Sequence, residues 1–202
     1  MRRSFIISVL AVMILSGESL AEELPDYEAE SLNNLSHDKQ ISFHAHLGSG
    51  YRFIGPYNSE YCGELGKKVC LNRSPLFLDL GVSYGLSSSV ELFLELRFGM
   101  ENDFGPSPSS EGPAIFSIQP GVRYYIEEYG RSKVFSTLQM VVDTSEYIEG
   151  SDIDLAVKNV NGLLFDLHQF GGMYIFVAEM IGWKRWLRFE IEAGMGVQLR
   201  FG

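Results

Sequence analysis

Hydrophobic and polar residues alternate without a break from Leu187 to Phe201, the fifteen residues that precede Gly202. One parity is apolar throughout, whereas the other holds only charged residues, glycines and a glutamine. Because successive side chains of a strand point to opposite faces, this pattern predicts a β-strand with one apolar and one polar face. At roughly 3.3 Å per residue and a tilt of roughly 45°, the strand rises about 35 Å, which is enough to cross a bilayer core.

The same alternation recurs upstream and predicts seven more strands. The eight predicted strands span residues 40–54, 75–86, 90–100, 114–126, 133–142, 155–167, 172–181 and 187–201. Their connections alternate between long and short, except for the last, as in outer-membrane barrels with long outer loops and short periplasmic turns. The predicted fold is therefore all-β, an eight-stranded antiparallel up-and-down transmembrane β-barrel.

Two of these strands are less clearly patterned. In the sixth, Asn159 and Asn161 fall on the otherwise apolar parity, and in the seventh both faces are largely apolar, so their facing is ambiguous. Pro120 lies in the middle of the fourth strand and predicts a bulge or a local break in the ladder, because proline cannot donate a ladder hydrogen bond.

The N-terminus has the pattern of an export signal. Met1-Arg2-Arg3 precedes an apolar run from Phe5 to Leu15, and Ser19-Leu20-Ala21 provides small residues for cleavage. This predicts a signal peptide over residues 1–21, an acidic periplasmic N-terminal tail over 22–39 and an outer-membrane barrel over 40–202. An N-terminal anchor helix is the alternative, but a run of eleven residues is too short to span a bilayer.

Charge and cysteine content narrow the possible partners. Cleavage would remove two arginines and one glutamate from a chain of formal net charge −10, leaving −11. An acidic surface argues against nucleic acid, since phosphate binding needs a basic one. Cys62 and Cys70 lie in one polar stretch of an exported chain, and no further Cys or His is close enough to complete a metal site. They predict a disulfide bond, which would stabilise so small a loop by roughly 2.5 kcal/mol.

The polar parity of the strands would fill the barrel interior. The predicted interior network comprises Arg52, Asp79, Glu95, Arg97, Arg123, Lys158, Glu179, Arg188, Glu190, Glu192 and Arg200. With Glu91, Lys133 and Asp166, the inward positions hold seven acids and seven bases, so we expect a neutral, plugged core without an open pore. Counting along the strands predicts four ion pairs: Arg97 with Asp79, Arg123 with Glu95, Arg52 with Glu190 or Glu192, and Lys158 with Glu179.

A soluble, lipocalin-like barrel would need the opposite assignment of faces, with the apolar parity inside. The polar parity alternates charged residues with glycines, however, and small residues suit a crowded lumen better than a water surface. The chain instead resembles the small outer-membrane barrels of the OmpA transmembrane-domain and OmpX kind. Its end carries the resemblance most specifically, because Met195, Val197, Leu199 and Phe201 look like the C-terminal signal read by the barrel-assembly machinery. Here the aromatic residue is penultimate, which departs from that pattern.

Candidate sites can be weighed against this background. His44 and His46 point inward and could hold a metal with Glu190 or Glu192, although hydrogen-bonded core histidines are the commoner case. The resemblance also covers lipid A deacylases, whose His-x-Ser pair faces the lipid, but no histidine here is followed two places later by serine. The acidic stretch 143–154 lacks the spacing of a calcium loop. The sequence therefore predicts no catalytic, cofactor-binding or metal-binding residues.

These observations predict a non-enzymatic outer-membrane barrel with a structural or surface-interaction role through its outer loops. The expected partners are outer-membrane lipid, lipopolysaccharide and the barrel-assembly machinery; the sequence does not indicate an extracellular partner. A lipid A-modifying enzyme and a narrow channel are the alternatives.

Overall fold

The structure is a computed structural model that describes residues 37–55, 70–100, 116–129, 131–144, 153–183 and 187–202. The predicted signal peptide, the tail up to Ser36, Cys62 and the side chain of Cys70 lie outside the described residues. The signal peptide and the disulfide bond therefore stay predictions.

Eight antiparallel strands form a closed barrel in chain order, which confirms the predicted fold. The strands are β1 (Ile41–Gly55), β2 (Cys70–Gly85), β3 (Val90–Gly99), β4 (Phe116–Tyr129), β5 (Ser132–Asp143), β6 (Asp154–His168), β7 (Gly171–Gly182) and β8 (Leu187–Phe201). β8 closes the barrel on β1 over a continuous register, from Ile41 opposite Phe201 to Gly55 opposite Leu187. In the described part of the chain, no helix has the length and apolar character needed to cross a membrane.

The two ends of the barrel differ in their connections. The start of β1, the end of β8 and the short connections after β2, β4 and β6 lie at one end, which we call the turn end. The longer connections after β1, β3 and β5, and the one after β7, lie at the other end, which we call the loop end. This arrangement positions the inward side chains in layers between the two ends.

β2 extends furthest beyond its predicted limits. β2 begins at Cys70, five residues earlier than predicted, and pairs there with the end of β1 after a register shift at Gly48 and Gly50. Asn72, Arg73 and Ser74 follow one another in this added segment, so hydrophobic alternation could not reveal it. The pairing of β4 with β5 skips Gln119 and Pro120 while the register on both sides is unchanged, as the missing proline N–H predicts.

The apolar parity faces outward on every strand. Leu138 and Met195 are 60% and 63% exposed, whereas the polar neighbours Gln139 and Gln198 are buried. This is the reverse of a soluble barrel, and the lipocalin alternative is therefore excluded by the assignment of faces.

The orientation of β7 removes one residue, Glu179, from the predicted interior network. Tyr174, Phe176, Ala178 and Met180 are buried inside, and Glu179 is exposed on the outer surface. The prediction that Glu179 lies in the interior is wrong. Both parities of β7 are apolar, so the strand's own pattern could not decide its facing; the neighbouring strands do, because Glu179 lies opposite Asn159 and Ile191 on their outward faces.

Candidate functional site: the barrel lumen

The lumen is lined by buried charges of both signs. Among the described residues, the buried carboxylates are Asp79, Glu91, Glu95, Asp143, Asp154, Asp166, Glu190 and Glu192, and the buried cations are Arg52, Arg97, Arg123, Lys133, Lys158, Arg188 and Arg200. Asp143 and Asp154, which the sequence placed in a loop, end β5 and begin β6 and point inward. Eight acids thus face seven bases, and three histidines lie among them.

A central cluster joins four strands through one arginine. Arg97 on β3 donates to both carboxylate oxygens of Asp79 on β2, at 2.9 and 2.8 Å, and to Glu192 on β8, at 2.9 Å. Lys158 on β6 places its Nζ 3.7 Å from Asp79 and 3.5 Å from Glu192. The ring of Phe77 lies 3.6 Å from the Arg97 guanidinium. Arg97 and Asp79 pair as the sequence suggested, whereas Lys158 contacts these two carboxylates and not Glu179.

A second cluster lies toward the loop end. Arg52 Nε is 2.6 Å from Glu190 Oε1, and Arg188 Nε is 3.3 Å from the same oxygen. Arg188 also donates to Asp143 at 2.7 Å and lies 3.6 Å from Asp154. The Arg52–Glu190 pair was one of those predicted, and Arg188 links it to the ends of β5 and β6.

Arg123 does not pair with Glu95 as predicted. Its Nε donates to Thr137 Oγ1 at 3.0 Å, and its guanidinium lies 4.5 and 4.4 Å from the rings of Phe93 and Phe135. Glu95 instead accepts a hydrogen bond from Gln139 at 2.7 Å. The prediction is wrong because counting from the strand ends misplaced the register, which sets Arg123 opposite Glu91.

The turn end holds a third cluster. Arg200 donates to Asp166, and Lys133 Nζ lies 3.5 Å from the same carboxylate. Glu91 accepts from the hydroxyl of Ser83 at 3.1 Å and pairs with His37 Nδ1 at 2.6 Å. Arg200 Nη1 also lies 3.5 Å from His37 Nε2, so both Arg200 and Glu91 contact His37, which precedes the first strand.

His37 belongs to the segment that the sequence assigned to an acidic periplasmic tail. Its side chain is fully buried in the barrel and stacks on Tyr125, with ring centroids 4.2 Å apart. Lys39, in a left-handed conformation with φ of 58°, donates its N–H to the Gly85 carbonyl at 2.9 Å. The end of the tail is therefore part of the barrel mouth. No periodic pattern could have revealed this, because a single buried histidine in a polar stretch has no recognisable spacing.

His46 contacts other groups than the Glu190 or Glu192 carboxylate that was considered as its partner in a metal site. His46 Nε2 is 2.8 Å from Asp79, and its Nδ1 is 3.1 Å from Glu95 and 3.0 Å from the Tyr174 hydroxyl. One ligand atom from each of His46, Asp79 and Glu95 falls within 4.8 Å of the others. The two carboxylates, however, face different ring nitrogens, and Asp79 already pairs with Arg97. This geometry favours a hydrogen-bonded network over a metal site.

His44 forms a pair with Ser83 that resembles a nucleophile and its base, with Nε2 2.8 Å from Oγ. The carboxylate of Glu91 contacts the serine and not the imidazole, whose Nδ1 faces Arg123 at 3.5 Å. Both side chains are buried in the lumen, away from the lipid-facing surface. The pair therefore lacks the third group that orients a catalytic base, and it is not presented to a lipid substrate.

Inward glycines account for the spacing of the luminal aromatic rings. Phe77 lies opposite Gly48, Phe93 opposite Gly121, Phe135 opposite Gly162, Phe176 opposite Gly194 and Tyr174 opposite Gly196. A Cβ added at Gly48, Gly162, Gly194 or Gly196 would clash with the facing ring. The glycines thus make room for large rings that fill the lumen between the charged clusters.

The residues of the predicted assembly signal lie on the lipid-facing side of β8. Met195, Val197, Leu199 and Phe201 are all exposed, and Phe201 packs edge-on against Phe43 across the closing seam, with centroids 5.9 Å apart. Their role in assembly stays a prediction.

We expect the stability of the buried position of His37 to depend on pH. Burial lowers the pKa of His37 below its ordinary value of 6.5; the Glu91 carboxylate opposes this effect, and the Lys133 and Arg200 cations add to it. A detached His37 would titrate near 6.5. The buried position of His37 is therefore most stable above about pH 6.5. Its stability decreases as the pH falls below that value, until the pH passes the lowered pKa of the buried imidazole.

Hydrogen exchange at the Lys39 amide measures how stably this segment is held at the barrel mouth. After correction for the intrinsic rate, its protection is expected to fall by up to about tenfold per pH unit below 6.5. His37→Asn, which cannot titrate, is the matched control and should remove the step. Protection that is unchanged between pH 7.5 and 5 in the natural sequence would contradict the prediction.

Comparison with known proteins supports the fold class. No protein-family model matches the sequence, and no curated protein sequence matches it significantly. Among solved structures, the N-terminal β-barrel domain of Pseudomonas aeruginosa OprF is 12% identical, with a TM-score of 0.54 over 81% of this chain and 98% of that one. Neisserial surface protein A is 8% identical, with a TM-score of 0.52 over 79% of this chain and 97% of that one. At these identities the likeness shows the fold, and the resemblance to small outer-membrane barrels is confirmed at that level.

Proposed function

We propose that this chain is an integral outer-membrane protein without catalytic activity, which strengthens the envelope or makes surface contacts through the connections at its loop end. The observation that carries the proposal is the division of faces: side chains such as Leu94 and Ile175 form an exposed apolar belt, while the charged residues are buried inside. Such a belt is stable only against hydrocarbon. The likeness in fold to OprF and Neisserial surface protein A supports the same location.

The lumen of this barrel is closed to ions. Lys158, Gln119 and Glu190 are fully buried, and the rings of Phe77, Phe135 and Phe176 pack between the charged clusters. An eight-stranded barrel is only wide enough to be filled by its own side chains. Paired charges that cross-link the strands would also hold these side chains in place.

Planar bilayer recording tests the closed lumen. Purified protein inserted into bilayers is expected to give no stable unitary conductance, whereas a porin inserted under the same conditions serves as the positive control. Heat-modifiable migration of the recovered protein on a cold gel verifies that it was folded. Reproducible unitary steps from folded protein would favour the narrow channel instead.

The outward face defines the expected lipid partners. We propose that the belt contacts outer-membrane lipid and lipopolysaccharide, and that the barrel-assembly machinery recognises the exposed residues Met195, Val197, Leu199 and Phe201. Incubation with lipopolysaccharide followed by mass spectrometry of the lipid is expected to show an unchanged acyl pattern. A lost or added acyl chain would support the lipid A-modifying alternative.

A further inference from the structure

Among the described residues, a polar patch lies in the apolar belt and is formed by Ser136 on β5, Asn159 and Asn161 on β6, and Glu179 on β7. We call these four residues the belt patch. Register places Ser136 opposite Asn161, and Asn159 opposite Glu179, so the four residues are contiguous across three strands. Ser136 donates its hydroxyl to Asn159 Oδ1 at 3.1 Å. Asn161 and Glu179 are exposed on the outer surface.

The belt patch lies within the apolar belt and not at its edge. On β6, Val157 continues the outward parity toward the loop end, and Leu163 continues it toward the turn end. On β7, Ile181 and Val177 flank Glu179 in the same way. On β5, the outward neighbours of Ser136 are Val134 and Leu138. The patch is thus surrounded by hydrocarbon-facing side chains along each strand.

On the other strands, the described outward positions in the belt are apolar, with the exception of Ser49 on β1. In the described part of β1, the outward Ser49 satisfies its hydroxyl by donating to the Ser74 carbonyl at 2.9 Å. On β3 and β8 the outward positions from Leu92 to Phe98 and from Leu187 to Phe201 are all apolar. The polar positions are therefore concentrated on one side of the barrel.

Polar groups facing lipid are costly, because acyl chains neither donate nor accept hydrogen bonds. Among the described residues, no hydrogen bond or ion pair reaches the Glu179 carboxylate or the Asn161 amide. The inner side of this wall is filled by the side chains of the lumen. A partner that supplies hydrogen bonds must therefore come from the plane of the membrane.

A second copy of this chain fits the patch chemically. Asparagine amides both donate and accept, and the Glu179 carboxyl accepts, so the patch is complementary to itself. A partner that neutralised Glu179 with a cation would instead have to carry Lys or Arg into the bilayer interior, which is itself costly.

Membrane geometry also favours a second copy. All copies in one membrane share an orientation, so a two-fold axis must run along the bilayer normal, and such an axis brings equal depths together. Asn159 and Glu179 are directly opposite in register, and paired positions on adjacent strands differ in depth by only roughly 3 Å. Asn159 of one copy can therefore meet the glutamate of the other.

We propose that the outer face of β5–β7 is the interface of a homodimer within the membrane. The amide N–H groups of Asn159 donate to the carboxyl of the partner's Glu179, and the reciprocal contact forms by symmetry. The proposal rests on the membrane location proposed above, but it adds a partner that the barrel fold alone does not require.

Cysteine cross-linking tests whether the outer faces of β5–β7 of two copies meet. In a Cys62→Ser, Cys70→Ser background reconstituted in liposomes, Asn161→Cys is expected to form a cross-linked homodimer on mild oxidation. Leu94→Cys, an outward position on β3, is the matched control and should remain monomeric. Equal cross-linking at the two positions, or none at Asn161→Cys, would overturn the proposal.

A second measurement removes the polar groups. The variant Asn159→Leu, Asn161→Leu, Glu179→Leu makes the belt continuous, so it is expected to fold but to dimerise at least about tenfold more weakly in liposome energy-transfer titrations. The control Leu92→Val, Leu94→Val on β3 should dimerise as the natural sequence does. Undiminished dimerisation of the triple variant would contradict this interface. A folded but monomeric natural protein would refute only the dimer, whereas a water-soluble protein without a heat-modifiable band would refute the proposed membrane location itself.

Discussion

Arg97→Met is expected to lower the free energy of unfolding of the barrel by about 3–5 kcal/mol. The substitution keeps most of the side-chain volume but removes the guanidinium that holds Asp79 and Glu192. Both carboxylates are buried, and the remaining cation of the cluster, Lys158, would face them at 3.5 Å or more, while Asp79 would keep its contact with His46. Leaving buried charges unpaired is more costly than removing a whole pair.

Urea unfolding in lipid vesicles, followed by the heat-modifiable gel shift, measures the loss. Arg131→Met, in the turn between β4 and β5 where the side chain is exposed, is the control and should change stability by less than about 0.5 kcal/mol. Adding Glu192→Gln to Arg97→Met should recover part of the loss, since Asp79 then retains Lys158 and His46. Equal stabilities for Arg97→Met and Arg131→Met would show that the central cluster does not stabilise the barrel.

Gly194→Val is expected to destabilise the barrel by about 3 kcal/mol and to reduce the folded yield. A Cβ at this position would clash with the Leu47 carbonyl of β1 and with the ring of Phe176 on β7. The backbone atom cannot be moved by changing a rotamer, so the seam between β8 and β1 would have to shift.

The adjacent outward residue supplies a control for Gly194→Val. Ala193→Val adds bulk to the same strand but toward lipid, where side chains are not confined. It should fold with a yield close to that of the natural sequence in the same vesicle assay. If the two variants refolded equally well, the close packing of the seam would not limit closure.

Hydrophobic alternation predicted the barrel because each strand separates two different surroundings, hydrocarbon outside and a charged lumen inside. It placed β8 at its observed limits, Leu187 to Phe201. It failed where the two surroundings did not differ in sequence, as in β7, whose inner face is lined by Tyr174 and Phe176 and reads like its outer one.

The candidate site was harder to predict than the strands. Which residues face the lumen follows from the alternation along each strand. Which charged residues pair with each other depends on the stagger between neighbouring strands, and the alternation does not reveal that stagger. The pair of Arg97 with Asp79 was therefore predicted correctly, whereas that of Arg123 with Glu95 was not. Asn159 and Asn161 made the register of β6 uncertain. The structure keeps that register, so the two residues mark a surface with its own chemistry and not a misplaced strand.

The charged residues of β8 link ion pairing to barrel closure. Glu190 and Glu192 pair with Arg52, Arg97 and Lys158 of earlier strands, and Arg188 and Arg200 pair with Asp143 and Asp166. Until β8 docks on β1, these buried charges of both signs on the other strands lack their partners. Docking of the final strand therefore forms the hydrogen bonds of the seam and completes these ion pairs in the same step, which makes a half-closed barrel electrostatically unfavourable and closure cooperative.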